Sequence, residues 1–238
     1  MRIITWNCGG GKFRAKAQQV ARLKPDVLAV QEVENLDKVK LVPEPAFQDR
    51  AHCSAYPRRS MGIFSYTGTT LEAVDQPDDE NLWTYAFRRF EVKRASLPFH
   101  VAAVWTYSTK IKENSYRQAH KGLGTYDKWM RHLPTVLLGD FNTNAKFQVK
   151  KSSGWPALKS LIDSLGLVSA YHESTGEEFG KESQPTHFPK RKNASPSHID
   201  YCFLPKDWTK HITKVEVGDP KFWTTISDHV PLIVDLDL

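Results

Sequence analysis

Cysteine is scarce in this chain: Cys8, Cys53 and Cys202 are the only three, and no two stand in Cys-x-x-Cys spacing. That excludes a disulfide framework and a cysteine-built zinc site, and it suits a reducing compartment. Long apolar runs are missing as well. The opening Met1-Arg2-Ile3-Ile4-Thr5-Trp6 passes at once into Asn7 and glycines, too short for a signal peptide, and no later stretch could span a bilayer. The expectation is a cytoplasmic protein that makes no use of a membrane. Repeats, low-complexity tracts and linkers are absent too, so residues 1–238 are expected to form a single domain. With 40% apolar and 25% charged residues, burial can offset chain entropy, which excludes a disordered chain.

What is present begins with a basic balance. Lys and Arg number 33 against 27 Asp and Glu, a net charge of +6. A basic excess favours an anionic partner, as a field effect and not as a site.

The patterning reads as strands with helices interspersed. Arg2 to Trp6 is a short β-branched run, Gly9 to Gly11 break it, and Lys12 to Leu23 carries its apolar residues mostly on one helical face. Lys24-Pro25-Asp26 stops that helix before the apolar strand Val27 to Val30. An irregular region runs to about Ser60. Strands are then expected at Gly62 to Tyr66, Leu82 to Phe87, Phe90 to Arg94 and His100 to Tyr107, and a helix between about Asn114 and Arg131. Thr135 to Leu138 is a buried-type strand. A helix from Trp155 to Leu165 has Pro156 in its first turn and Gly166 at its end. Ile199 to Leu204, Ile212 to Val217 and Val230 to Leu236 complete the set. This order suggests two packed sheets covered by helices.

Several apolar runs end in residues suited to a hard cation. Asn7 follows Ile3 to Trp6, Glu32 follows Leu28 to Gln31, and Asp140 and Asn142 follow Val136 to Gly139. Asp200 sits in His198-Ile199-Asp200-Tyr201, and Asp228-His229 precedes Val230-Pro231-Leu232. Each alone reads as a turn, because short polar side chains bond to nearby backbone. Five of them at strand ends point to a site, since loops held by a rigid scaffold concentrate catalytic groups. Oxygen donors of this kind prefer Mg²⁺ or Mn²⁺ to zinc.

The segments Thr5-Trp6-Asn7, Gln31-Glu32, Gly139-Asp140-Phe141-Asn142, His198-Ile199-Asp200-Tyr201 and Ser227-Asp228-His229-Val230-Pro231-Leu232 resemble, in order, the motifs of the endonuclease/exonuclease/phosphatase superfamily. The resemblance spans nearly the whole chain. It implies an α/β fold of the DNase I-like kind: a four-layered α/β sandwich of two packed, mostly antiparallel β-sheets flanked by helices. It also implies a divalent-metal-dependent phosphodiesterase. Asn7, Glu32 and Asp228 would surround the Mg²⁺ or Mn²⁺. Asp140, the candidate base, and Asn142 would orient the attacking water and phosphoryl oxygens. Asp200 would hold His229 in one tautomer, and His229 would contact the scissile phosphate.

Further candidates carry over with the resemblance. Tyr107, in Val104-Trp105-Thr106-Tyr107-Ser108, would touch the phosphate, although Trp105 departs from the small or amide residue of many relatives. Arg117 could bind two phosphate oxygens with its planar fork. Thr186 and His187 would border the substrate. The basic loops at Arg58-Arg59, Lys146, Lys150-Lys151 and Lys190-Arg191-Lys192 could track a phosphate backbone, with Trp155, His187 and Phe188 as stacking surfaces. Abasic-site nucleases generally continue Gln-Glu with Thr-Lys, whereas this chain has Val33-Glu34, which argues against that subclass. The leading expectation is a monomeric DNA nuclease, probing as an endonuclease of low sequence specificity. The alternatives are hydrolysis of a small phosphate ester or blocked DNA end, and a non-catalytic nucleic-acid binder.

Overall fold

The computed structural model describes residues 1–35, 49–56, 59–66, 69–74, 87–94, 97–106, 114–147, 154–191 and 195–238. Two six-stranded sheets pack face to face. The first contains β1 (Arg2–Asn7), β2 (Val27–Val33), β3 (Asp49–Tyr56), β4 (Arg59–Ser65), β11 (Ile212–Val217) and β12 (Leu232–Leu236), in the order β11-β12-β1-β2-β4-β3. The second contains β5 (Thr69–Ala73), β6 (Phe87–Arg94), β7 (Phe99–Trp105), β8 (Thr135–Asp140), β9 (Leu167–Ser169) and β10 (Asp200–Pro205), in the order β5-β6-β7-β8-β10-β9. Each sheet has one parallel pair, β1 with β2 and β7 with β8, and every other pairing is antiparallel.

Alternation along each strand builds the layers. Ile3, Val27, Ala29, Val101, Ala103, Val136, Leu138, Cys202 and Leu204 meet between the sheets. Their neighbours Ile4, Leu28 and Val30 face outward under α1 (Phe13–Ala21). On the other side Ala102, Val104, Leu137, Tyr201 and Phe203 lie under α2 (Ser115–Met130) and α3 (Trp155–Ser164). Because both faces of each sheet are covered, the central strands read as continuous apolar runs. Each fully buried large side chain contributes about 1.5–3 kcal/mol through water exclusion. The architecture is the four-layered sandwich expected. Short helices α4 (Ala170–Thr175) and α5 (Pro220–Trp223) complete it.

The region expected to be irregular up to Ser60 contains β3, whose alternating polar residues hide a strand at the sheet edge. β5, β9 and α4 were also not expected, since each is too short to carry a period. Leu82 to Ala86 and Tyr107 lie outside the described residues. Gly122 and Gly124 do not interrupt α2, which Asn114 caps by accepting from the Arg117 N–H.

The topology gathers strand ends at one edge. β1 and β2 run parallel and finish together, and Thr5 pairs with Leu232, so the segment before β12 returns to the end of β1. In the second sheet Asp200 pairs with Asp140, which sets the start of β10 beside the end of β8. Gly139 allows the close approach there: a Cβ on it would sit 1.9 Å from the Val104 carbonyl oxygen.

Candidate active site

Asn7, at the end of β1, joins the two sheets. Its Nδ2 lies 2.9 Å from Asp140 Oδ2 and 3.4 Å from Glu32 Oε1. Asp140 also accepts from the Asn142 backbone N–H at 2.8 Å and from Asn142 Nδ2 at 2.8 Å. The same Asn142 amide donates to the Thr106 carbonyl at 2.8 Å. Asp140 is thus a fully buried carboxylate held by amide donors.

Two of these residues are held in left-handed backbone. Glu32 has φ 61° and Asn142 φ 46°. Non-glycine residues adopt that region at some cost, and it recurs where surrounding structure over-determines a functional geometry. At Glu32 the β2–β4 register shifts between Gln31 and Val33, so a bulge turns the carboxylate out of the pleat.

Asp200 and His229 form a second unit. His229 Nδ1–H donates to Asp200 Oδ2 at 2.8 Å, and His229 Nε2 stands 3.9 Å from Asp140 Oδ2. Burial disfavours the His229 imidazolium, yet the charges of Asp200 and Asp140 and the hydrogen bond to Asp200 outweigh it and raise its pKa. Burial likewise raises the Asp140 carboxyl, opposed by His229 and by the Asn7 and Asn142 donors.

The Gly9–Gly10 turn brings the remaining carboxylates together. A Cβ on Gly9, at φ +67°, would lie 2.9 Å from Asp228 Oδ1, while the Gly10 N–H donates to Glu32 Oε2 at 2.6 Å. Glu32 and Asp228 therefore flank consecutive residues of one turn, with Asn7 Oδ1 fixed by the Gly9 N–H at 2.9 Å. These are oxygen donors, with Glu32 and Asp228 partly exposed and Asn7 buried, a set that fits a hard divalent cation. Among the described residues, ligating atoms also cluster within 4.8 Å at Asp140, Asp200 and His229, and at His187, Asp228 and His229. In the first of these the hydrogen bond of His229 Nδ1 to Asp200 Oδ2 already takes up one atom of each.

His187 packs at a tilt of 34° against His229 with ring centres 4.5 Å apart, and its Nε2 is 4.0 Å from Asp228 Oδ2. Burial and the neighbouring His229 depress its pKa to about 4, so it is neutral at pH 7. Thr186 is fully buried: its hydroxyl accepts from the Ile199 and Asp200 N–H groups at 3.1 Å each. It holds Asp200 and has no surface for substrate. Arg117 is exposed in the first turn of α2, and its guanidinium has no contact with the cluster among the described residues. Trp155 and Phe188 are core residues and offer no stacking surface. Of the basic loops, Arg58, Lys150, Lys151 and Lys192 lie outside the described residues, as does the side chain of Arg59. Lys146 donates to the Pro196 carbonyl, and Arg191 to those of Thr225 and Ile226.

A model of the Endonuclease/Exonuclease/phosphatase family matches residues 4–229. The chain belongs to that family. Like its other members it is an enzyme that hydrolyses phosphate esters. No curated protein sequence matches it. Among solved structures it is similar to an AP endonuclease from Archaeoglobus fulgidus (TM-score 0.74, 16% identity, each chain covered in full). It is also similar to a 3′-5′ exonuclease from Neisseria meningitidis (TM-score 0.70, 18% identity, each chain covered in full). A third is truncated TDP2 from Caenorhabditis elegans (TM-score 0.69, 14% identity, all of this chain and 97% of that one). At these identities the likeness establishes the fold.

Sequence reasoning missed several residues of this family member's site. Trp6 Nε1–H donates to the His229 carbonyl, and Ser227 Oγ–H to the Asn7 carbonyl, so the catalytic segment is sewn to β1. Lys16 donates to the carbonyls of Cys8, Gly9 and Gly11, fixing the glycine turn. Glu34, which replaces the lysine or threonine expected of an abasic-site nuclease, accepts from the Phe13 and Arg14 N–H groups at the start of α1. Only the one-turn spacing of Lys16 from Lys12 and the position of Glu34 after a strand hinted at these roles.

Proposed function

We propose that the chain is a divalent-metal-dependent phosphodiesterase that cleaves DNA, as an endonuclease of low sequence specificity. The observation that carries this reading is the convergence of Asn7, Asp140, Asn142 and the Asp200–His229 pair on one edge of the sandwich.

Glu32, Asn7 and Asp228 would hold Mg²⁺ or Mn²⁺, which when bound supplies positive charge to phosphoryl and leaving oxygens. Asp140 accepts the proton of the attacking water, its basicity raised by burial. Asn142, turned by its left-handed backbone, holds Asp140 with its backbone and side-chain amides and so orients the attacking water. His229, kept as an imidazolium by Asp200, faces the oxygens on which negative charge builds, and the oxygen–phosphorus bond to the leaving group breaks opposite the water. His187, being neutral, lines the same mouth without adding charge.

The case for a polymer rests on shape and charge. A cleft of about 670 Å³ has segment 183–188 as one wall and segment 217–224 as the other, with Arg191 and Lys221 on its lining. Of that first segment Ser183, Gln184, Pro185 and Phe188 line the cleft, and His187 does not. The net charge of +6 adds a long-range attraction for phosphate. A monomer in a reducing compartment is part of the proposal, as Cys8 and Cys202 are free thiols in the core.

The test is incubation of purified protein with plasmid and single-stranded DNA, with Mg²⁺ or Mn²⁺ and with EDTA, beside Glu32→Gln. EDTA-sensitive cleavage lost in the variant is expected. Activity on small phosphate esters with no cleavage of DNA would overturn the nuclease reading.

A further inference from the structure

Beneath the site lies a second buried polar cluster that the chemistry above does not use. Glu182 is at its centre, with a side chain only 3% exposed. Its carboxylate accepts from the Gly180 N–H at 2.9 Å and from Asn144 Nδ2 at 3.1 Å, and meets His172 Nε2 at 3.3 Å. His172 Nδ1 in turn lies 2.8 Å from Ser169 Oγ. No lysine or arginine pairs with this carboxylate among the described residues.

Burying a carboxylate without a strong cation is costly, and apolar side chains of the same volume would generally stabilise the fold more. What a fully satisfied polar network adds is a unique geometry. The segment from Gly176 to Pro185 has no helix or strand, so backbone ladders cannot fix it. The network does so instead, helped by Tyr171, whose hydroxyl donates to Glu177 while Ser183 N–H and Oγ–H do the same.

Both ends of the network lead to the site. Asn144 Nδ2, fully buried, also reaches the His198 carbonyl at 2.7 Å, two residues before Asp200. Four residues after Glu182, Thr186 holds the Asp200 N–H and its carbonyl accepts from Val230 N–H, next to His229. The Asp200–His229 pair is therefore gripped from two sides by segments that converge on one carboxylate.

We propose that Glu182 is a positioning residue for phosphoryl transfer, setting the Asp200–His229 pair through Asn144 and through the 182–186 segment. The role rests on the functional reading given above. Glutamine has the same length as glutamate. Its carbonyl, placed at the Oε1 position, can accept from Gly180 N–H, from Asn144 Nδ2 and from His172 Nε2–H, with the ring's Nδ1 accepting from Ser169 Oγ–H. Glu182→Gln should consequently rescue what Glu182→Leu loses.

The experiment compares wild type, Glu182→Leu, Glu182→Gln and a core control, Leu158→Ala, which removes fully buried contacts in α3. Two signals are read: kcat and KM on DNA with Mg²⁺, and the downfield proton resonance of His229 Nδ1–H in the metal-free protein. For Glu182→Leu we expect kcat to fall roughly 10- to 100-fold with little change in KM, as for a misplaced reacting group. Its downfield resonance should shift or broaden. Glu182→Gln and Leu158→Ala should keep the resonance. Should Glu182→Leu not fold, Asn144→Ala carries the same expectation. A resonance and kcat in the Leu or Ala variant no different from those of Leu158→Ala would overturn the proposal. Because the resonance needs no turnover, it decides the positioning role even if DNA proves not to be the substrate.

Discussion

At the scale of single residues, the proposed mechanism sets two buried ionisable groups against each other. Asp140 and His229 stand 3.9 Å apart between Nε2 and Oδ2, both out of water, and each is pushed toward its protonated form. For His229 the dominant favourable causes are the Asp200 and Asp140 charges. A histidine whose folded pKa is raised stays charged above its ordinary value of about 6.5, so the stability it adds is present below that value and is lost only as pH climbs through the raised one. Imidazole NMR should therefore find His229 protonated at about pH 8 in wild type and neutral in Asp200→Asn, since a histidine of ordinary pKa near 6.5 would have titrated already. A neutral ring in wild type would remove the imidazolium from the mechanism. Asn142→Ala takes away an amide that holds Asp140, the proposed base. Steady-state kinetics should show kcat reduced roughly a hundredfold or more, the usual cost of one charge-stabilising donor. A loss confined to KM would assign Asn142 to binding alone.

At the scale of elements, the glycine turn, the bulge of β2 and the return of the chain before β12 decide where the carboxylates point. β1 depends on its neighbour for this. Arg2 grips Asp235 of β12 through Nε–Oδ1 at 2.7 Å and Nη2–Oδ2 at 2.8 Å, a bidentate pair that locks the two strands in register. The hydrogen bond and charge of Arg2 hold the Asp235 carboxyl below its ordinary value. A depressed carboxylate stabilises the fold above its unfolded pKa of about 3.9, and that contribution fades as pH falls below it. The melting temperature of Asp235→Asn should thus trail wild type at neutral pH, by an amount equivalent to about 1 kcal/mol for a partly exposed pair. The gap should close in acid, where Asp235 is itself neutral. A gap independent of pH would mean that the stabilisation is not ionic.

At the scale of the whole molecule, two sheets each bring one half of the chemistry. Asn7 and Glu32 come from the first, Asp140, Asn142 and Asp200 from the second, and Asp228 and His229 from the strand connection that closes the first. Asn7, Glu32 and Asp228 come from segments remote in sequence, so a cation bound between them would bind the folded state and hardly the unfolded one. Saturating Mn²⁺ should then raise the melting temperature of wild type by mass action and leave Glu32→Gln unchanged. An equal rise in both would move the metal away from Glu32. Binding of DNA by the +6 chain should weaken steeply with added salt, as counterion release requires.

The candidate list was legible in the sequence because each member borders an apolar run. A buried strand must be apolar on both faces, so the first polar residue after it marks the edge where a site can form. Asn7, Glu32, Asp140, Asn142, Asp200, Asp228 and His229 were proposed in this way; strand and helix patterning suggested two packed sheets covered by helices, and the family resemblance implied the four-layered sandwich. Thr186, expected from the resemblance to border the substrate, is buried against Asp200, because burial depends on neighbours remote in sequence. Only the tertiary structure decided that Thr186 supports Asp200, that Glu34 caps α1, and that Glu182 reaches Asn144 across 38 residues. Those roles are hydrogen bonds between segments without a local period, and their energy comes from a desolvated meeting that no single stretch of chain can announce.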